Sequence, residues 1–131
     1  MKELTILWVE DDEKFGPSIH FRIEDSLLEN GIKLTEPQIL TNGNGVWETV
    51  RIWEPDIIMM DHNLEDVIIN GANLIIEIRL HNEDIPIIFY SSEMDEKLAN
   101  LVINEEEIYI SKRADVHAQL ERLIAEKFPS E

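Results

Sequence analysis

Residues 4–9 (LTILWV), 56–60 (DIIMM) and 86–90 (PIIFY) form short apolar runs without polar alternation. A strand with one wet face alternates, whereas a strand covered on both faces does not. Weaker runs at 37–40 (PQIL) and 108–110 (IYI) bring the expected strands to five. Helix-period segments lie between them. Phe15, Ile19, Ile23 and Leu27 recur every fourth residue, and Gly31 is placed to end that helix. After the turn NGNG (42–45), Val46, Val50 and Trp53 make a second stripe. GANLIIEIRL (71–80) buries Leu74, Ile75 and Ile78, a short helix is expected around Asp95–Ile103, and Val116, Leu120, Leu123, Ile124 and Phe128 line a closing helix. Five strands alternating with five helices predict an α/β fold, with right-handed crossovers and a parallel sheet covered on both faces. No repeat or linker-like shift divides the 131 residues, so one domain over 1–131 is expected. In such sheets function sits at the carboxyl ends of the strands, near the switch in strand order.

Charge narrows the partners. Eleven Lys plus Arg against 28 Asp plus Glu give −17. That field repels phosphate backbones and anionic lipid, so neither nucleic acid nor membrane is an expected direct partner. Cations and basic protein surfaces are attracted instead. Most of the acids read as solvated surface, NEEE (104–107) among them. The chain has no cysteine, its apolar runs are far short of a bilayer span, and the start MKELTILWVEDDE has too short an apolar core for a signal peptide. A soluble cytoplasmic protein is expected.

The strand ends carry the chemistry. The first run leads into Glu10, Asp11, Asp12 and Glu13, the third into Asp61, the fourth into Ser91 and Ser92, the fifth into Ser111 and Lys112. Carboxylates gathered at one edge repel one another and call for a cation. Oxygen ligands with no thiolate suit Mg²⁺, which takes one or two carboxylates and shares the rest with water and phosphate. A carboxylate nucleophile, a bridging metal, a lysine and a hydroxyl are the parts of phosphoryl transfer to aspartate. Asp12 and Glu13 are expected to lead into the first helix, where acids suit its dipole.

ILWVEDD (6–12), PDIIMMD (55–61), GANLIIEIR (71–79), PIIFYSS (86–92) and IYISK (108–112) stand in this order, and together they resemble the receiver domains of two-component response regulators over essentially the whole chain. The resemblance implies a flavodoxin-like, doubly wound sheet of five parallel strands and five helices with strand order 2-1-3-4-5. It implies that Asp61 is the phosphoacceptor, served by a histidine kinase or phosphotransfer protein. It matches Glu10 and Asp11 to the acidic pair that, with Asp61 and the main-chain carbonyl of Asn63, holds Mg²⁺, with Mn²⁺ as a substitute. Ser91 matches the hydroxyl that turns toward the phosphoryl group, Lys112 the lysine that pairs with it, and Tyr109 the aromatic switch that moves with Ser91. Asn63 and Glu93 are similar to the pair in chemotaxis-type single-domain members, which implies fast autodephosphorylation. The only reactions implied are self-phosphorylation from a donor and that hydrolysis. The output surface implied is the fourth helix, fifth strand and fifth helix, facing a downstream protein or a second copy.

Departures from the family pattern fall on the rim. Arg113 stands where proline usually follows the lysine, and Glu65 replaces another common proline. The loop from Asp61 to Gly71 and the segment from Gly31 to Pro37 are longer than usual, and NEEE replaces a glycine-alanine turn. The competing function is an interaction module on the same fold that is never phosphorylated. A phosphatase of the aspartate-nucleophile type would need a second aspartate where Asn63 stands. The remaining aromatic and imidazole residues get plain readings: Trp8, Trp47 and Trp53 as core, His20, His81 and His117 as surface or boundary, and His62 as packing over the site.

Overall fold

The computed structural model describes residues 2–64 and 70–129. In chain order the elements are β1 (Lys2–Leu4), β2 (Ile6–Val9), α1 (Phe15–Glu29), β3 (Ile32–Leu34), β4 (Gln38–Leu40), α2 (Val46–Trp53), β5 (Ile57–Asp61), α3 (Gly71–His81), β6 (Ile87–Ser91), α4 (Glu96–Ala99), β7 (Ile108–Lys112) and α5 (Val116–Lys127). Single 3₁₀ turns at Asn100–Val102 and Arg113–Asp115 follow α4 and β7. No helix among the described residues is long and apolar enough to cross a membrane.

The main sheet has five parallel strands in the order β4-β2-β5-β6-β7, which is the expected 2-1-3-4-5. Beside it, β1 pairs with β3 in parallel, a strand absent from the sequence reading. The reason lies in register. Leu4 faces Leu34, whereas Leu7 faces Gln38, so the second strand carries one more residue than the first between the two ladders. That is a β-bulge. Thr35 anchors it, its N–H and hydroxyl both donating to the Leu4 carbonyl at 2.9 and 3.2 Å. Pro37, with no N–H, sits inside the bulge, where a ladder bond is not required. The extended segment between Gly31 and Pro37 is thus a strand plus its bulge.

Period-two alternation sends successive strand residues to opposite faces. Ile6, Trp8, Ile57, Met59, Ile88 and Tyr90 meet α1 and α5 through Ile19, Ile23, Leu120 and Ile124. Leu7, Val9, Ile58, Met60, Ile87 and Phe89 meet α2 and α3 through Val46, Val50, Ile75 and Ile78. Leu74 and Val116 are also buried as expected, while Phe128 lies beyond α5 and only partly covers the core. Trp53 departs from the expected stripe: it ends α2 and is 42% exposed. His20 departs in the other direction. It is buried, because its Nε2 accepts from the indole N–H of Trp8 at 3.1 Å and so satisfies both polar groups inside the core.

The same alternation builds the edge that matters. Asp61, Ser91 and Lys112 belong to their strands rather than to the loops beyond, since the ladders continue through Asp61 opposite Tyr90 and Ser91 opposite Lys112. Glu10 prolongs the alternation of Ile6 and Trp8, and its N–H donates to the Leu40 carbonyl at 2.9 Å. Glu10, Asp61 and Tyr90 therefore emerge on the side of α1 and α5. Gly71 opens α3 against the strand end. A Cβ there would lie 2.3 Å from the Asp61 carbonyl oxygen and 2.8 Å from His62 Cα, so only glycine lets α3 pack this close. Glu65 and most of the long loop after Asp61 lie outside the described residues.

Candidate functional site

Glu10, Asp11 and Asp61 come together at the carboxyl edge, each offering a carboxylate oxygen within 4.8 Å of the others. Glu10 and Asp61 are buried and Asp11 reaches solvent. Burial, then the charge of Glu10, pushes the Asp61 carboxyl up to about 7, against the pull of the Asn63 N–H and Arg113. Burial likewise raises Glu10, opposed by the Asp12 N–H and Arg113. Both shifts report negative charge held together out of water, and both would be relieved by a cation. The donor set is all oxygen, partly open to solvent, and fits a hard divalent ion such as Mg²⁺ or Mn²⁺.

A cation from the chain itself is already there. Arg113, the first residue after β7, hydrogen-bonds Glu10 Oε1 through Nη1. The same nitrogen lies 3.5 Å from Asp61 Oδ2, and Nη2 lies 3.9 Å from Asp12 Oδ2. Its guanidinium carbon sits 3.8 Å from the Phe15 ring centroid, within cation–π range. Tyr90 closes the pocket floor, its hydroxyl donating to Glu10 Oε1 at 3.0 Å. Burial and the carboxylates hold that phenol well above its ordinary pKa, so it remains a donor. The sequence reading missed both residues. Arg113 was visible only as a departure from proline, which gives no direction for the side chain. Tyr90 had a signal, its alternation with Ile88 and its place opposite Asp61, but the apolar run masked its polar end.

Ser91 and Asn63 form a second knot beside the acids. The Asn63 N–H donates to Asp61 Oδ1 at 3.1 Å, and its side-chain Nδ2 donates to Ser91 Oγ at 2.9 Å. Ser91 is fully buried, and its oxygen also accepts from the Glu93 N–H at 3.1 Å. The Glu93 side chain is exposed and, with His62, Asn63, Ser91 and Lys97, lines a cavity of about 310 Å³ next to the acids. The His62 ring packs edge-on to Phe89 at 5.5 Å.

Two residues stand apart. Lys112 is exposed at the end of β7, and among the described residues its ammonium makes no hydrogen bond or ion pair. Tyr109 packs its ring partly against the α1 and α5 side, and its hydroxyl donates to Glu107 Oε2 at 2.8 Å. Lys127 of α5 pairs with the same carboxylate at 3.1 Å. The structure thus gathers Glu10, Asp11, Asp61, Asn63 and Ser91, keeps Lys112 at the same edge, and ties Tyr109 to the end of α5.

The chain matches the family model of the response regulator receiver domain over residues 6–124. No curated protein matches it in sequence. Among solved structures, the receiver domain of a Francisella response regulator superposes with a TM-score of 0.68 at 18% identity, covering 94% of this chain and 98% of that one. The N-terminal domain of a response regulator receiver protein from Methanoculleus marisnigri gives 0.64 at 20%, covering 95% and 96%. The BeF3-activated N-terminal receiver domain of RstA from Klebsiella pneumoniae gives 0.65 at 21%, covering 90% and 96%. At these identities the likeness is one of fold.

Proposed function

Since the chain belongs to the response regulator receiver domain family, we propose that it is a phosphorylatable switch in two-component signalling, with Asp61 as the acceptor. The observation that carries this reading is the meeting of three carboxylates within 4.8 Å, beside a buried serine hydroxyl, on adjacent strand ends. The donor is the phosphohistidine of a histidine kinase or phosphotransfer protein. An ionised Asp61 oxygen attacks phosphorus, the P–N bond breaks, and the donor imidazole leaves with a proton. Bound by Glu10, Asp11, Asp61 and the Asn63 main-chain carbonyl, Mg²⁺ would offset the charge of the phosphoryl oxygens.

The chain's own groups do the rest. Ser91 turns its hydroxyl to a phosphoryl oxygen, giving up the Asn63 amide, and exposed Lys112 swings in to pair with another. Tyr109 then leaves Glu107, loosening the end of α5 and shifting the face made by α4, β7 and α5 toward a form recognised by a downstream protein or a second copy. Freed from Ser91, Asn63 joins Glu93 in placing the attacking water, so the aspartyl phosphate lasts seconds to minutes. The charge of −17 favours basic protein partners over nucleic acid or membrane, and a cytoplasmic setting suits a partner kinase.

Pairing of Arg113 with the same acids favours one rival, a receiver-like interaction module whose pocket is neutralised internally. Intact mass after incubation with acetyl phosphate and Mg²⁺, beside Asp61→Asn, separates the two. A single Mg²⁺-dependent phosphoryl adduct that is absent from the variant is expected. A folded chain that takes no adduct, while a control receiver does, favours the module.

A further inference from the structure

We propose that Arg113 is an internal counter-cation that occupies the acidic pocket of the resting chain and must be displaced before a divalent ion loads, so that its grip sets the loading threshold. This inference rests on the acidic pocket being a divalent-ion site.

The first ground is competition for the same lone pairs. Glu10 Oε1 accepts from both the Tyr90 hydroxyl and Arg113 Nη1, and Glu10 Oε2 accepts from the Asp12 N–H at 2.9 Å. Asp61 Oδ1 accepts from the Asn63 N–H, and Arg113 Nη1 approaches Oδ2 at 3.5 Å. A divalent ion held here would draw on oxygens of the same carboxylates, directly or through water. The guanidinium already engages Glu10 and Asp61, so it and a divalent ion would compete for the same carboxylates.

The second ground is that Arg113 is held in place yet able to leave. Phe15 gives it a flat seat, and Phe15 is itself wedged by Trp8 and Tyr90, each with its ring centroid 5.7 Å away. The side chain is 28% exposed, so its outer edge faces water. It follows β7 directly, on the first residue of a 3₁₀ turn, which aims it back over the strand ends. Lys112, one residue earlier, points to solvent instead. In the resting chain the cation over the acids is thus Arg113, while Lys112, expected to pair with a phosphoryl group, stays outside. Once the ion is in place, Arg113 is released from the acids onto the rim beside α5.

Mg²⁺ titration by calorimetry, with Trp8 fluorescence in parallel, tests this on the full chain, Arg113→Gln, Phe15→Leu and Asp61→Asn. Removing the guanidinium should tighten Mg²⁺ binding at least about tenfold, since hydrogen bonds to charged groups carry that much or more. Phe15→Leu keeps the charge but removes its seat, so an intermediate gain is expected, and it serves if Arg113→Gln does not fold. Asp61→Asn should lose the site, which separates it from diffuse binding to surface acids. Equal or weaker Mg²⁺ binding by Arg113→Gln, with Mg²⁺-dependent labelling of Asp61 intact, overturns this inference and leaves the proposed function standing. If no variant binds Mg²⁺ and the wild-type chain takes no phosphoryl group, the function falls and the inference with it.

Discussion

Asp61→Asn should make the metal-free protein more stable, and by an amount that depends on pH. In the folded chain this carboxyl is buried beside Glu10 and titrates near 7, whereas its ordinary value is 3.8. Well below pH 3.8 it is protonated whether folded or unfolded, and this cost vanishes. As pH rises from 3.8 toward 7, the unfolded chain gives up its proton while the folded chain keeps it, and stability falls. At about 1.36 kcal/mol per tenfold difference in proton affinity, the full cost above pH 7 is about 4 kcal/mol. Asparagine is close in shape and its Oδ1 can still accept from the Asn63 N–H, but Arg113 loses one of its carboxylates. A net gain of about 2 to 4 kcal/mol at pH 8 is therefore expected, shrinking to about half a kcal/mol or less at pH 4. Urea denaturation of both proteins in chelator at pH 4, 6 and 8 measures it. The wild-type minus variant difference removes the separate titration of His20. A variant no more stable than wild type at pH 8, or a difference that stays constant from pH 4 to 8, would refute the reasoning.

Three further outcomes follow from the packing. Burial holds His20 down to about 4, so stability should fall as pH drops from 6.5 toward 4; His20→Gln, which can still accept from Trp8, should flatten that limb in an acid titration followed by circular dichroism. Gly71→Ala should cost about 2 kcal/mol or more in a urea melt, because the atoms it strikes are backbone of Asp61 and His62 and cannot turn aside. Arg79 donates to the carbonyls of Glu106, Asn82, Ile85 and Glu107, so Arg79→Ala should cost about 3 kcal/mol and speed hydrogen exchange at the start of β7; unchanged exchange there would count against its role as a staple.

The parallel sheet and its two covered faces were legible because local periodicity carries them, whereas the strand order came from the resemblance to receiver domains. Continuous apolar strands and fourfold helical spacing leave few ways to bury both, and crossover handedness removes most of those that remain. Glu10, Asp11, Asp61 and Ser91 were legible as a group for the same reason: residues at the ends of apolar strands of a parallel sheet share one edge, while Asn63 came only from the resemblance. Less regular features were lost. The strand at Ile32–Leu34 is three residues long and separated from β4 by a bulge, so no alternation announces it. His20 reads as a boundary polar residue until Trp8 is placed against it.

Long side chains marked the limit. Lys112 and Arg113 are adjacent cations at a strand end, and sequence gives no reason to send one outward and the other over the acids. That choice follows from three-dimensional surroundings: the Phe15 ring on α1, the Tyr90 hydroxyl on β6, and carboxylates from β5 and the loop after β2. The sequence by itself determined which groups meet at the edge, since backbone periodicity places their Cα atoms. Only the tertiary structure decided which cation neutralises them, because a flexible side chain takes its direction from contacts that separate elements supply together.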